Sequence, residues 1–138
     1  LIDPKKYVML GIRGSLYHPD DLNWAREQGV TIITIDDFHE MGFNKVIDTI
    51  YNVLGDIPTY LTFDIDGIDC TYAPGTGTPE VGGFTVRESQ TIVRALNKIN
   101  FMGADVVEVS PPFDINNMTS HIGATIAFEI LCTMTRTN

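Results

Sequence analysis

Short apolar runs alternate with amphipathic stretches along this chain. Tyr7 to Ile12 (YVMLGI) is apolar and ends in Arg13-Gly14, which predicts a buried strand followed by a turn. Asp20-Asp21 opens a polar stretch through Gln28, stopped by Gly29, the pattern of a short helix with acidic residues at its positive end. Val30 to Ile35 (VTIITI) is β-branched almost throughout, as in strands covered on both faces, and Asp36-Asp37 after it reads as a helix cap. Asn44 to Leu54 repeats apolar residues at Val46, Ile47, Ile50, Val53 and Leu54, a helical stripe closed by Gly55. Thr59 to Asp64 (TYLTFD) predicts a third strand. Val86 to Ile99 predicts a helix with Ile92, Val93 and Leu96 on one face. Ala104 to Val109 (ADVVEV) predicts a fourth strand, and Ser120 to Met134 a closing apolar helix.

Four apolar strands separated by helices place the chain in the α/β class, with a parallel sheet and helices packed over both faces. The chain has no internal repeat, low-complexity stretch or interdomain linker. The one long irregular segment, Gly67 to Gly83, follows the third strand. In open α/β sheets chemistry gathers at the carboxyl ends of the strands, so this segment is the first place to look for a site.

Length and composition narrow the class further. A chain of 138 residues can bury one modest core, so it is a single compact unit or one half of a larger domain. With 43% hydrophobic and 20% charged residues it is a folding, globular sequence and not a disordered one. A net charge of −9 without any Lys/Arg run argues against a nucleic-acid partner. That acidity serves solubility, or attracts a small cation. Cys70 and Cys132 form no disulfide framework and no CxxC pair, which fits a reducing compartment. Neither a charged leader with an apolar core nor a run long enough to span a bilayer is present, so the expectation is a cytoplasmic protein without a membrane partner.

Candidate chemistry begins at Phe63-Asp64-Ile65-Asp66-Gly67-Ile68-Asp69. Carboxylates at i and i+2 on the last residues of a strand can point to the same side, and two adjacent anions repel unless a cation or shared proton compensates. Oxygen ligands at a strand end suit hard divalent ions such as Mn²⁺ or Mg²⁺, but capping or solvated carboxylates explain the same spacing. Directly after comes Ala73-Pro74-Gly75-Thr76-Gly77-Thr78-Pro79-Glu80-Val81-Gly82-Gly83-Phe84-Thr85, whose prolines preset φ and whose glycines permit unusual backbone. Such a loop is shaped around a site, or is an ordinary compact structural loop. His18, His39 and His121 sit in no ligand pattern and read as surface or core histidines; Met118 and Met134 read as core.

Three motifs together, FDIDGID, APGTGTPEVGG and ADVVEVSPPFD, closely resemble the ureohydrolase family of arginases, agmatinases and guanidino-acid hydrolases. The resemblance spans nearly the whole chain, and PGTGTPE with VVEVSPPFD is more similar to agmatinases and guanidinobutyrases than to arginases proper. It implies a three-layer α/β/α fold around a parallel sheet, of which this chain is the C-terminal part. It also implies a binuclear Mn²⁺ site, with Ni²⁺ or another divalent ion as a variant, to which Asp64 and Asp66 contribute carboxylates. By the same resemblance Glu108, in Val107-Glu108-Val109-Ser110-Pro111, contacts the substrate guanidinium, where a carboxylate makes paired charge-assisted hydrogen bonds. A buried acid paired with a neighbour is the alternative for Glu108. Thr78 lies near the reacting centre in the family, so its hydroxyl bonds substrate or intermediate, or else stabilises the loop. Asp69 serves the turn or supports the ligands. Cys70 stands where the family has Pro, which loosens the loop.

The implied reaction is hydrolysis of a guanidino compound, agmatine or 4-guanidinobutanoate, to urea and an amine by a hydroxide bridging two ions. The implied partners are that small cationic substrate and further copies of the subunit, as a trimer or hexamer; a mitochondrial matrix location is an option in a eukaryote. The family's Gly-Gly-Asp-His and Asp-Ala-His-x-Asp segments, which supply further metal ligands, do not occur in this sequence. Leu1-Ile2-Asp3-Pro4 resembles a mid-chain segment of the family. The expectation is therefore that this polypeptide alone is not a competent binuclear enzyme. The alternative is a non-catalytic fragment or paralogue acting in subunit association. A Zn²⁺ deacylase on a related fold is disfavoured, because no histidine stands beside these aspartates.

Overall fold

The computed structural model describes residues 2–135, so Leu1, where the mid-chain resemblance begins, lies outside the described residues. The chain divides into two compact units, Leu1–Gly55 and Asp56–Asn138.

In the first unit β1 (Val8–Ile12) pairs in parallel with β2 (Thr31–Thr34). The short helix α1 (Asn23–Glu27) precedes β2, and its cap is Leu22 without a side-chain hydrogen bond. The expected aspartate cap is absent because Asp20 and Asp21 fold the preceding turn instead: Asp20 Oδ1 accepts from Asn23 Nδ2, and Asp21 Oδ2 from the His18 N–H. The apolar run VTIITI does not end as a strand. Thr34 caps helix α2 (Ile35–Met41), its hydroxyl accepting from the Asp37 N–H at 3.0 Å while Asp37 Oδ2 accepts from the Thr34 N–H at 2.9 Å. Those bonds, the Thr34 side chain first, hold the Asp37 carboxyl below its ordinary value. Helix α3 (Phe43–Leu54) buries Val46, Ile47, Ile50 and Leu54 of the predicted stripe, leaves its fifth member Val53 half-buried, and ends at Gly55 with φ 61°. Lys6 Nζ donates to the Val53 carbonyl in its last turn at 2.6 Å.

The second unit carries β3 (Thr59–Asp64), with the boundaries the sequence predicted, paired in parallel with β4 (Phe101–Val107) from Tyr60 opposite Gly103 to Asp64 opposite Val107. Helix α4 (Val86–Ala95) opens on a capping box between Thr85 and Glu88 and stops four residues short of the predicted end, at the turn that buries Leu96 and Ile99. Helix α5 (Met118–Thr135) packs on β4 and α4. Ile65, Ile68, Ala73, Val93, Ile122, Ile126 and Ile130 form the core, with Leu61, Phe63, Val106 and Met134 packed against it. Each fully buried Ile is worth roughly 2–3 kcal/mol of apolar transfer. Met134 is thus core-facing as expected. Met118 is not: it starts α5 and is 54% exposed, since the first turn turns that residue outward.

The class is α/β with parallel strands, as predicted. Among the described residues the strands are hydrogen-bonded as two separate pairs, β1 with β2 and β3 with β4, and not as one four-stranded ladder. Among the described residues, no helix is long and apolar enough to cross a membrane.

Candidate functional site

β3 and β4 run in parallel, so their carboxyl ends present Asp64 and the segment after Val107 side by side. Asp64 is the last strand residue; Asp66 belongs to a 3-10 turn, Ile65–Gly67, and not to the strand as its spacing suggested. The turn still brings the carboxylates together, because Asp64 Oδ1 accepts from the Asp66 N–H at 3.1 Å. Ile65, fully buried between them, anchors the turn in the core. Asp64 is exposed at the residue level, yet partial burial of its carboxyl is the main force pushing it up to about 6. The nearby charges of Asp66 and Glu108 add to that rise, against the Asp66 backbone N–H, which opposes it.

Thr78 reaches back over this turn and donates its hydroxyl to Asp66 Oδ2 at 2.9 Å. Glu108 follows the last residue of β4, and there the backbone enters the left-handed region, φ 64°. A non-glycine residue held there is costly and sits where the fold over-determines it, commonly at a site. That turn also ends the strand at Val107, two residues before the alternation of ADVVEV implied. Four residues named from the sequence therefore come together: Asp64 and Asp66 share a turn, Thr78 bonds Asp66, and Glu108 is close enough for its charge to act on Asp64.

Loop 67–84 is built around Asp69. Its carboxylate accepts from the Thr71 hydroxyl at 2.5 Å and N–H at 2.8 Å, and from the Gly82 and Gly83 N–H groups at 2.6 and 3.2 Å. Those donors, Thr71 first, lower its carboxyl to about 2. Asp69 thus serves the turn, as one of its two expected roles. Cys70 is a half-buried free thiol whose N–H bonds the Glu80 carbonyl at 3.3 Å. His18, His39 and His121 are exposed and stand at none of these positions. In the first unit, the ends of β1 and β2 line a shallow hollow of about 210 Å³ with Ile12, Arg13, Thr34 and Asp36, residues the motifs did not single out.

The donor chemistry fits part of a divalent-ion site. Asp64 and Asp66 offer hard oxygens on one rigid turn, and the like charge crowded there is what a cation relieves. They do not make a complete one: among the described residues no group of three or more His, Cys, Asp or Glu is placed to hold a metal ion.

Residues 1–133 match the sequence profile of the arginase family. The chain belongs to that family. It is 49% identical over 132 residues to a guanidinopropionase of Pseudomonas aeruginosa, an alignment covering 96% of this chain and 42% of that protein. A guanidinobutyrase of the same organism is 39% identical and is covered to the same extent, with 97% of this chain aligned. The structure superposes on the proclavaminate amidinohydrolase of Streptomyces clavuligerus with TM-score 0.93 at 40% identity, over 99% of this chain and 46% of that one. The arginase-family fold expected from the motifs is therefore present, and the chain spans less than half the length of these relatives.

Proposed function

We propose that these residues form part of a divalent-metal hydrolase that cleaves a guanidino compound to urea and an amine. The observation that carries the reading is the meeting of Asp64, Asp66, Thr78 and Glu108 at the carboxyl ends of β3 and β4. Membership of the arginase family and the names of the relatives support it. In this reading Asp64 and Asp66 are ligands of a binuclear Mn²⁺ site. A divalent ion bound there supplies an acidified water at neutral pH. The activity belongs to the full-length protein, since two carboxylates do not complete a binuclear site.

Each side chain has a definite task in this scheme. Glu108 faces the planar guanidinium and orients it through paired charge-assisted hydrogen bonds. Its left-handed backbone places the residue at the turn that follows β4, near Asp64. Thr78 holds Asp66 in position through the bond at 2.9 Å, and in this scheme its hydroxyl also bonds the substrate or intermediate. Water adds to that carbon, the C–N bond to the tail breaks, and the departing amine takes a proton. A linear guanidino carboxylate, 3-guanidinopropanoate or 4-guanidinobutanoate, ranks above agmatine, because the two Pseudomonas relatives are named for such acids.

The test uses full-length protein loaded with Mn²⁺. Asp64→Ala and Asp66→Ala should each lose bound metal and urea release together, whereas Glu108→Gln should keep the metal and lose kcat/KM for every guanidino substrate. Full activity in either aspartate variant would overturn the ligand assignment.

A further inference from the structure

Gly75 is gripped from two sides. Its N–H donates to Thr119 Oγ1 at 2.8 Å, and its carbonyl accepts from the Ser110 N–H at 2.7 Å. The next residue, Thr76, forms an isolated antiparallel bridge with Val109, the neighbour of Glu108. No side chain fits at Gly75: a Cβ would lie 2.8 Å from Asp114 Cα and 2.9 Å from Thr119 Oγ1. Thr119 is fully buried in the first turn of α5. Asp114 fastens that turn, its carboxylate accepting from the Thr119 and Ser120 N–H groups at 2.8 Å each and from the Ser120 hydroxyl at 2.7 Å.

These bonds make one path. It runs from Asp114 through Thr119 to Gly75, and there it divides. Along the loop, three residues on, lies Thr78, bonded to Asp66; across the Ser110 and Val109 contacts lies Glu108. Whatever moves Gly75 therefore changes the spacing between the two sides of the site. The Thr119 hydroxyl is the acceptor for the Gly75 N–H, a backbone donor with no room for a side chain beside it, so its loss shifts the loop or strands that donor.

We propose that Thr119 is a positioning residue for the guanidinium site, setting through Gly75 the spacing between the Thr78 loop and Glu108. The proposal rests on the role given to Glu108 above. It assigns function to a helix residue 44 positions from Gly75 along the chain, whose hydroxyl accepts from that backbone N–H.

A double-mutant cycle on Mn²⁺-loaded full-length protein tests it, with urea release from 3-guanidinopropanoate and bound manganese as readouts. Thr119→Val, which keeps shape and loses the acceptor, should lower kcat/KM by about tenfold or more with bound manganese unchanged. In a Glu108→Gln background the same change should cost less than about twofold, because the geometry it protects is already without effect. Thr119→Ser, which keeps the hydroxyl, should stay within about twofold of the parent. Equal losses in both backgrounds would mean that Thr119 only stabilises the fold, and the proposal would be overturned. It would also be overturned if Thr119→Val kept full kcat/KM while Glu108→Gln lost it. If Glu108→Gln itself kept full kcat/KM, the assignment of Glu108 would fail and take this proposal with it. Should Thr119→Val not fold, Thr119→Ala, which likewise removes the acceptor for the Gly75 N–H, enters the cycle in its place with the same expectations.

Discussion

Removing the Asp69 carboxylate should unmake the loop that carries Thr78. Four donors converge on it: the Thr71 hydroxyl and N–H, and the N–H groups of Gly82 and Gly83. Thr71 and Gly82 are exposed, so water replaces part of what is lost, and each bond is worth about 0.5–1 kcal/mol net. Asp69→Ala should then cost about 2–3 kcal/mol, and Asp69→Asn about half of that, because an amide keeps one acceptor oxygen and cannot serve both the Thr71 and the glycine donors. The assay is urea denaturation at fixed protein concentration followed by circular dichroism, with proteolysis within 70–82 as a local probe. The pH dependence adds an independent check. The folded carboxyl is held at about 2 against an ordinary 3.8, so its stabilising effect is complete above 3.8 and is lost as pH falls through 2. The gap between the parent and Asp69→Ala should therefore be constant from neutral pH down to about 4 and narrow below it toward what the neutral acid keeps, about half, as in Asp69→Asn. A loss under about 0.5 kcal/mol at pH 7, or a gap as wide at pH 2 as at pH 7, would refute the reasoning.

Three further outcomes follow from particular contacts. Gly75→Ala places a Cβ 2.7–2.8 Å from the backbone and Cβ of Asp114, so it should destabilise by about 2 kcal/mol or more in the same urea titration. Glu108→Gly removes the left-handed strain and should raise stability by roughly 0.5–1 kcal/mol while urea release is lost; destabilisation would show that Glu108 has a packing role instead. Thr85→Ala deletes the hydroxyl that accepts from the Glu88 N–H at 3.1 Å, and should cost about 1 kcal/mol by denaturation with bound manganese unchanged.

The sequence made β3 legible to the residue, because TYLTFD has a clean start after Pro58 and a charged end. It misplaced β4 for a physical reason: Phe101, Met102 and Gly103 lack β-branching, yet Phe101 and Gly103 pair with β3 around a register shift at Met102, and Gly103 leaves room for the Tyr60 ring that a Cβ would meet at 2.9 Å. At the other end, nothing in VVEVS marks the backbone reversal at Glu108. Helix α2 was hidden by the apolar run that ends in Ile35, although Thr34-x-x-Asp37 is a readable capping box. For the site, the motifs named Asp64, Asp66, Thr78 and Glu108, and the fold brings these together. The Thr119–Gly75 contact was not legible, since it joins residues distant in sequence that belong to no common motif. Asp69 was read as a turn residue, but the number of donors it gathers needed coordinates.

The pairing of strands in twos has a practical consequence for anyone making this polypeptide. Parallel strands are normally buried within wider sheets, and within its own unit each strand described here has one ladder partner. A parallel pair cut off from a wider sheet presents a row of N–H and C=O groups along its outer edge, and an extended segment can join it there. On β3 and β4 the side chains do little to discourage it, since Tyr60 and Met102 are exposed and apolar. Concentrated solutions of these residues alone will therefore tend toward intermolecular pairing, and dilution, or a strand-supplying companion polypeptide produced alongside, is the route to a monodisperse sample.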